Sequence, residues 1–116
     1  MKVNNSTTST PSFGTVYYNA NATNTILNRL NSRDISKFNK LTSKQKHNKN
    51  VDITFYVRKN STRLFAYIIP KDLLFHDAFT SLEREGRFHL FRNPLTFIEK
   101  VCKKADDLSE KLARRI

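Results

Sequence analysis

Arginine and aromatic side chains recur at alternate positions in the middle of this sequence. Tyr56 precedes Arg58 by two residues, and Phe65 and Tyr67 follow Arg63 by two and four residues. Rings exposed on a strand can stack on nucleic-acid bases, at roughly 1–3 kcal/mol per base, while arginines bind the phosphates. The pattern therefore favours contact with a nucleic-acid strand. The alternative is that a helix covers this face and the rings belong to the core.

A second group of cations lies just before these residues. Between residues 33 and 50, Arg33 and five lysines stand against Asp34 as the one acidic residue. The lysines are Lys37, Lys40, Lys44, Lys46 and Lys49, and Lys59 adds a cation between the two arginines. A run of one sign attracts anions over long distances, although most charged runs are simply solvated surfaces. We expect the five lysines to supply this attraction and Arg58, Lys59 and Arg63 to anchor phosphates.

Residue patterns for catalysis are sparse. Asp72 and His76 share one face of a helix at a spacing of four residues, where they could bind a metal or move a proton. Metal sites usually recruit three or four ligands, however, and Asp72 also suits the start of a helix. The sequence contains no Gly-rich phosphate loop, nucleophile elbow, CxxC or HExxH motif. These features predict a non-enzymatic protein without a cofactor; a small metal-dependent nuclease is the enzymatic alternative.

The overall charge indicates an anionic partner. Lysines and arginines number 21 against 10 acidic residues in 116, which gives a formal net charge of +11. Nucleic acid, either DNA or RNA, is the leading prediction because a partner that neutralises part of this charge relieves self-repulsion. The alternative is an acidic protein surface, bound by the chain as a small adaptor, inhibitor or complex subunit. The Asn, Lys, Ile and Phe bias is typical of AT-rich genomes, including those of phages and mobile elements.

Cysteine use and hydropathy bear on the compartment. Cys102 is the one cysteine, so the chain cannot form an internal disulfide, and a cytoplasmic or other intracellular reducing compartment fits. Lys2 is not followed by the apolar segment of a signal peptide. Since no apolar run approaches 18 residues, we also expect no membrane span.

A β-hairpin is predicted to position the arginines and the rings. Segments 51–58 and 63–69 alternate in polarity around a loop centred on Asn60 and Ser61. The register pairs Ile53 with Ile68, Phe55 with Ala66 and Val57 with Leu64 on one face, and Thr54 with Tyr67, Tyr56 with Phe65 and Arg58 with Arg63 on the other. A slip by one residue would mix the two faces. The facing arginines cost about 0.2–1 kcal/mol unless something neutralises them.

The N-terminal part divides into an arm and a helical region. Residues 1–23 are rich in Asn, Ser and Thr and predict a flexible arm, so that residues 24–116 form a single basic α+β domain. Asn24 or Thr25 caps a first short helix, and Asp34 starts a second. Two helices before a basic-tipped hairpin also resemble a helix-turn-helix with a wing, although the turn lacks the usual glycine.

The C-terminal part predicts two further helices and a strand. A helix fits residues 72–85, ended by Gly86 as a left-handed cap, and residues 87–92 form a short third strand. Asn93 and Pro94 then start the last helix. The apolar stripe of this amphipathic helix packs on the small antiparallel sheet, or alternatively joins two copies as a dimer seam. The predicted order is α-α-β-β-α-β-α.

Overall fold

The polypeptide follows an α+β course in the computed structural model, which describes residues 16–115. The strands are β1 (Val16–Tyr18), β2 (Val51–Tyr56), β3 (Phe65–Pro70) and β4 (Ser81–Arg84). The helices are α1 (Ala20–Arg29), α2 (Ser32–Gln45), α3 (His76–Phe79) and α4 (Pro94–Arg115), and Leu73–Phe75 and His89–Phe91 form short 3₁₀ turns. The predicted class, a sheet packed against an amphipathic C-terminal helix, is confirmed.

The four strands lie in the order β1-β2-β3-β4. β1 runs parallel to β2, whereas the β2–β3 and β3–β4 pairs are antiparallel. Within residues 16–115 the sheet is therefore mixed and four-stranded, not the three-stranded antiparallel sheet predicted, because β1 adds a parallel edge strand. In the hairpin, Ile53 lies opposite Ile68 and Tyr56 opposite Phe65, so the predicted register is confirmed for the pairs within the strands. The strands end there, and the predicted pairs Val57 with Leu64 and Arg58 with Arg63 lie beyond them in the loop. Asn60 at its tip has a φ of 64°, a left-handed conformation that asparagine accepts more easily than most residues.

The core lies on one face of the sheet, which we call the inner face. Val51, Ile53 and Phe55 of β2 alternate with half-buried residues and are at most 1% exposed. Ala22 and Ile26 of α1 join the same cluster. From α4, Ile98, Val101, Ala105 and Leu112 enter it with at most 1% exposure. The apolar stripe of α4 therefore packs on the chain's own sheet, as predicted, rather than remaining open as a dimer seam.

Short side-chain caps set the helix boundaries. Asn19 caps α1 by accepting a hydrogen bond from the backbone N–H of Ala22 at 2.8 Å, so α1 starts before the predicted Asn24 or Thr25. Its amide also bonds both backbone groups of Val57, which joins the start of α1 to the end of β2. At α4, Asn93 accepts from the N–H of Leu95 at 2.9 Å, and this predicted helix start is confirmed.

The predicted N-terminal arm is only partly described. Residues 16–23 belong to β1, the Asn19 cap and the first turn of α1. β1 pairs with the edge of β2 that β3 leaves free. There Val16 packs against the core, and the ring of Tyr18 stacks on that of Phe55 with 5.8 Å between the centroids. Residues 1–15 lie outside the described part of the chain.

The helix predicted over residues 72–85 was wrong for most of its length. A 3₁₀ turn and the four-residue α3 replace its first half, and β4 replaces its end. Thr80 and Ser81 are weak helix formers, and β3 offers an unpaired edge whose backbone groups the chain can bond. β4 takes up that edge, which leaves Leu82 44% exposed rather than in the core.

The strand predicted over residues 87–92 was assigned to the wrong residues. β4 fills that position in the sheet, and His89–Phe91 forms a 3₁₀ turn instead. Gly86 does not adopt the left-handed conformation that the predicted helix end required. Within residues 16–115, no helix combines the length and apolar character needed to cross a membrane.

Candidate functional site

The second face of the sheet, which we call the outer face, carries the rings singled out in the sequence. The pairing places Thr54, Tyr67 and Leu82 in one row, and Tyr17 of β1 extends that row. Tyr17 is 52% exposed and Tyr67 is 37% exposed. Because the core side chains of α1, α2 and α4 gather on the inner face, these helices leave the outer face open.

Three rings on the outer face form a continuous stack. The centroids of Tyr56 and Tyr67 lie 5.5 Å apart with planes inclined by 16°, and those of Tyr56 and Phe65 lie 5.1 Å apart at 19°. Neighbouring rings at these separations attract each other and hold one another in place. The exposed end of the stack is Tyr67, whereas Phe65 is only 4% exposed. Phe65 therefore supports the stack, contrary to the expectation that it contacts bases itself.

Arg58 and Arg63 both lie against the buried ring of Phe65. Their guanidinium carbons lie 4.6 Å and 5.7 Å from the centroid of Phe65. A guanidinium over an aromatic face gains cation–π attraction, which offsets part of the repulsion between two like charges. Arg63 also donates from Nε to the backbone carbonyl of Glu85, whereas Arg58 remains exposed. Of these two arginines, Arg58 is therefore the one whose charge is more available to a ligand.

The tyrosine hydroxyls in the stack are linked. Desolvation raises the pKa of Tyr56 above the ordinary tyrosine value, and a hydrogen bond to Tyr67 raises it further. The positive charge of Arg58 acts in the opposite direction. Like an ordinary tyrosine, Tyr56 is protonated at neutral pH, so its hydroxyl can donate a hydrogen bond.

The structure does not bring the lysines of α2 to this face. Lys37, Lys40 and Lys44 are exposed, but Phe38 and Leu41 of the same helix pack against the inner-face core. The sheet therefore lies between these lysines and the rings. The two groups of predicted residues do not form one continuous surface.

Lys46 and Lys49 are exposed at the end of the sheet where β2 begins. Lys59 is exposed in the hairpin loop at the end where β2 finishes. At ~3.3 Å per strand residue, Lys49 and Arg58 are roughly 25–30 Å apart. Among residues 16–115, no carboxylate lies within ion-pair distance of any of the five predicted lysines. They attract anions from several sides rather than at one point.

Sequence reasoning missed three members of the outer face. Tyr17 lay in a segment assigned to the arm, and Leu82 and Arg84 lay in a predicted helix. Arg84 pairs with Phe65 across the sheet and so extends the row that begins at Tyr56. The alternation over residues 81–85, with Leu82 and Arg84 on one side, was the available signal for a strand.

Large apolar side chains are also exposed at two turns near β4. Leu73 and Leu74 follow β3 and are 79% and 86% exposed. Phe88, Leu90 and Phe91 follow β4 and are 67%, 68% and 87% exposed. Clusters of exposed apolar side chains of this size often mark contacts with other proteins.

The residue pair considered for catalysis has a structural explanation. Asp72 accepts a hydrogen bond from the backbone N–H of Leu74 at 2.9 Å and so caps the 3₁₀ turn, and His76 begins α3. No group of three or more His, Cys, Asp or Glu side chains within residues 16–115 could hold a metal ion.

Comparisons of the chain with protein-family models, with curated proteins and with solved structures gave no match. Within residues 16–115, the fold and the site define a small basic α+β protein whose ring-bearing sheet face is not covered by a helix. A function must therefore be argued from this geometry alone.

Proposed function

We propose that the protein binds nucleic acid on the outer face of its sheet. The observation that carries the proposal is the open stack of Tyr56 and Tyr67, bordered by the exposed cations Arg58, Lys59 and Arg84. Bases of a single strand stack on exposed rings, and the cations contact the phosphates between those bases. Because a double helix keeps its bases stacked inside, this surface suits a single strand better than a duplex.

The structure supports a division of roles among the candidate residues. Tyr67 and Tyr17 are exposed enough to contact bases, while Phe65 lies beneath Arg58 and holds the stack from below. The lysines of α2 lie in the helical layer, so they raise the local concentration of an anionic strand without contacting the part that lies on the rings.

The direct test is to measure affinity for a labelled single-stranded oligonucleotide of mixed sequence as a function of salt. Removing the stacking ring with Tyr67→Ala should weaken binding by roughly 5- to 150-fold, which corresponds to about 1–3 kcal/mol. Replacing Arg58 and Lys59 with Gln should reduce the slope of log affinity against log salt by about 1.4, since each single-strand phosphate contact contributes about 0.7. Lys59 is preferred to Arg63 because Arg63 also bonds the Glu85 carbonyl.

A matched control removes two charges from the helical layer. Lys37→Gln with Lys40→Gln changes the net charge equally but leaves the outer face intact. We expect this variant to reduce the slope by less than half as much as the hairpin pair. Equal effects of the two pairs, together with unchanged affinity of Tyr67→Ala, would refute binding on the outer face.

A second candidate is a basic adaptor, inhibitor or subunit that binds an acidic protein surface. The observation in its favour is the exposure of Leu73, Leu74, Phe88, Leu90 and Phe91. An interface with apolar side chains at its centre and charges at its rim would use these residues together with the neighbouring arginines. In that case, Phe91→Ser should abolish capture of one acidic protein, while Tyr67→Ala leaves it unchanged.

A further inference from the structure

A pocket of about 350 Å³ lies between the end of β4 and the first turns of α4. Its size falls within the range that small-molecule sites usually have, about 300–1,000 Å³. Arg84, Gly86 and Phe88 line one side, and Asn93 and Lys100 line the other. The pocket is therefore made of segments that the sequence alone assigned to separate elements.

The lining is strongly cationic. It includes Arg84, Arg87, Arg92 and Lys100. Within residues 16–115, no carboxylate pairs with the three arginines, and Lys100 approaches Glu83 only at 3.9 Å. Glu85 also lines the pocket, but it is 5% exposed and both of its carboxylate oxygens bond Arg29. The lining thus contains three arginines without a paired carboxylate and one lysine with a long ion pair.

Other features of the lining suit the remainder of an anionic ligand. Phe88 is 67% exposed and offers a ring face for stacking. His89 lies in the same lining, and its Nδ1 is buried without a hydrogen-bond partner among the described residues, while its Nε2 lies 3.0 Å from the Thr62 hydroxyl. The lining thus adds an aromatic ring and polar side chains to the cations.

The geometry points to a binding site for the phosphate group of a nucleotide in this pocket. Arginine forks match phosphate oxygens, and several cations favour a phosphomonoester because it carries close to two negative charges at neutral pH. Phe88 stacks on the base. The same chemistry has two sources, a free mononucleotide or the phosphorylated end of a strand. The site does not depend on strand binding by the outer face, although Arg84 adjoins both surfaces.

Calorimetric titration with AMP and with adenosine tests the phosphate requirement. We expect AMP to bind at least about tenfold more tightly than adenosine, because charge-assisted bonds are lost without the phosphate. Arg87→Gln with Arg92→Gln should lower AMP affinity by at least about tenfold. Arg92 offers its backbone carbonyl, not its side chain, to Arg29, so this substitution keeps that bond. Equal affinity for AMP and adenosine would overturn the proposal.

The matched control is Arg33→Gln with Lys37→Gln, which removes two exposed cations from α2. AMP affinity should stay within about twofold of the unmodified protein, since these charges lie beyond short-range contact. A loss as large as that of the pocket pair would show general charge attraction instead of a built site. Circular dichroism of both variants establishes that each is folded.

Oligonucleotides with and without a 5′-phosphate separate the two sources. A preference of about tenfold for the phosphorylated strand, lost in the Arg87 and Arg92 variant, assigns the site to a strand end. AMP binding without such a preference assigns it to a free nucleotide. Tyr67→Ala should weaken binding of the oligonucleotide and leave the affinity for AMP unchanged. Failure of the outer-face proposal is therefore distinguishable from failure of this one.

Discussion

Arg29 of α1 and Glu85, the residue after β4, form an ion pair that joins two layers of the fold. Both terminal nitrogens of the guanidinium contact the carboxylate, with Nη2 lying 3.0 Å from Oε2. The side chains are 12% and 4% exposed, so solvent screens the pair weakly. The carboxylate also accepts the backbone N–H of Leu64 at 2.8 Å, and the guanidinium donates to the carbonyls of Thr62 and His89. One buried pair therefore connects α1, the segment just before β3 and the turn before α4.

Removing the charge of Glu85 should destabilise the protein. Glu85→Gln leaves the Arg29 guanidinium buried without a counter-ion, and breaking a buried pair in this way typically costs about 3–5 kcal/mol. Urea denaturation followed by circular dichroism measures the loss as a lower midpoint with an unchanged slope.

A double-mutant cycle provides the control. Arg29→Met should be costly by itself, but Arg29→Met combined with Glu85→Gln should cost less than the sum of the single changes, since no unpaired charge remains. Additive effects would show that the two side chains act independently.

Local patterns were the part of the fold that the sequence could predict. The alternation around Asn60 fixed the hairpin register, and Asn93 with Pro94 located the start of α4, because each depends on residues close together in the chain. Tyr56 and Tyr67 were found for the same reason.

Long-range contacts decided the features that were missed. Arg29 and Glu85 are 56 residues apart in the sequence, and no local pattern predicts their ion pair. β4 forms because the edge of β3 is available, which outweighs the helical spacing of Leu74 and Leu82. The cationic pocket depends on β4, so it could not be predicted before that strand was known.

The backbone at Asn60 gives a second stability prediction. Glycine adopts its φ of 64° without strain, whereas a β-branched residue is destabilised in this conformation. Asn60→Gly should leave the free energy of unfolding within about 0.5 kcal/mol or raise it slightly, whereas Asn60→Val should lower it by roughly 1–2 kcal/mol. Thermal unfolding of the two variants checks the order, and equal melting temperatures would contradict it.

The Cys102 thiol should be unreactive in the folded protein. Burial, together with the smaller effect of the nearby carboxylates of Asp106 and Glu99, raises its pKa to about 12. Because the thiolate is the reactive form, labelling with a thiol reagent at pH 8 should be much slower in buffer than in urea.

The same shift predicts a dependence of stability on alkaline pH. Below the ordinary cysteine pKa of 9.0, the thiol is protonated in both the folded and the unfolded state. Its full contribution to the free energy of unfolding is present there. Above pH 9.0 the unfolded state ionises first, so stability falls by up to about 1.4 kcal/mol per pH unit until the folded thiol ionises near pH 12. Lysines and tyrosines titrate in this window as well, so the measurement is the difference between the unmodified protein and Cys102→Ala. A difference that stays constant from pH 8 to 11 would contradict the shift.

The position of Leu82 distinguishes the strand from the helix that its sequence favours. In a helix over residues 72–85 this side chain would be part of the core, whereas in β4 it is 44% exposed on the outer face. Leu82→Thr replaces it with a residue that suits an exposed strand position, so the free energy of unfolding should change by no more than about 0.5 kcal/mol. Leu64→Ala is the matched comparison, since Leu64 is fully buried and its truncation should cost about 2–5 kcal/mol. If Leu82→Thr lowered the free energy of unfolding as much as Leu64→Ala, residue 82 would be a core position. In that case β4 would not be the edge strand of the outer face, and the pocket that β4 helps to line would not form as described.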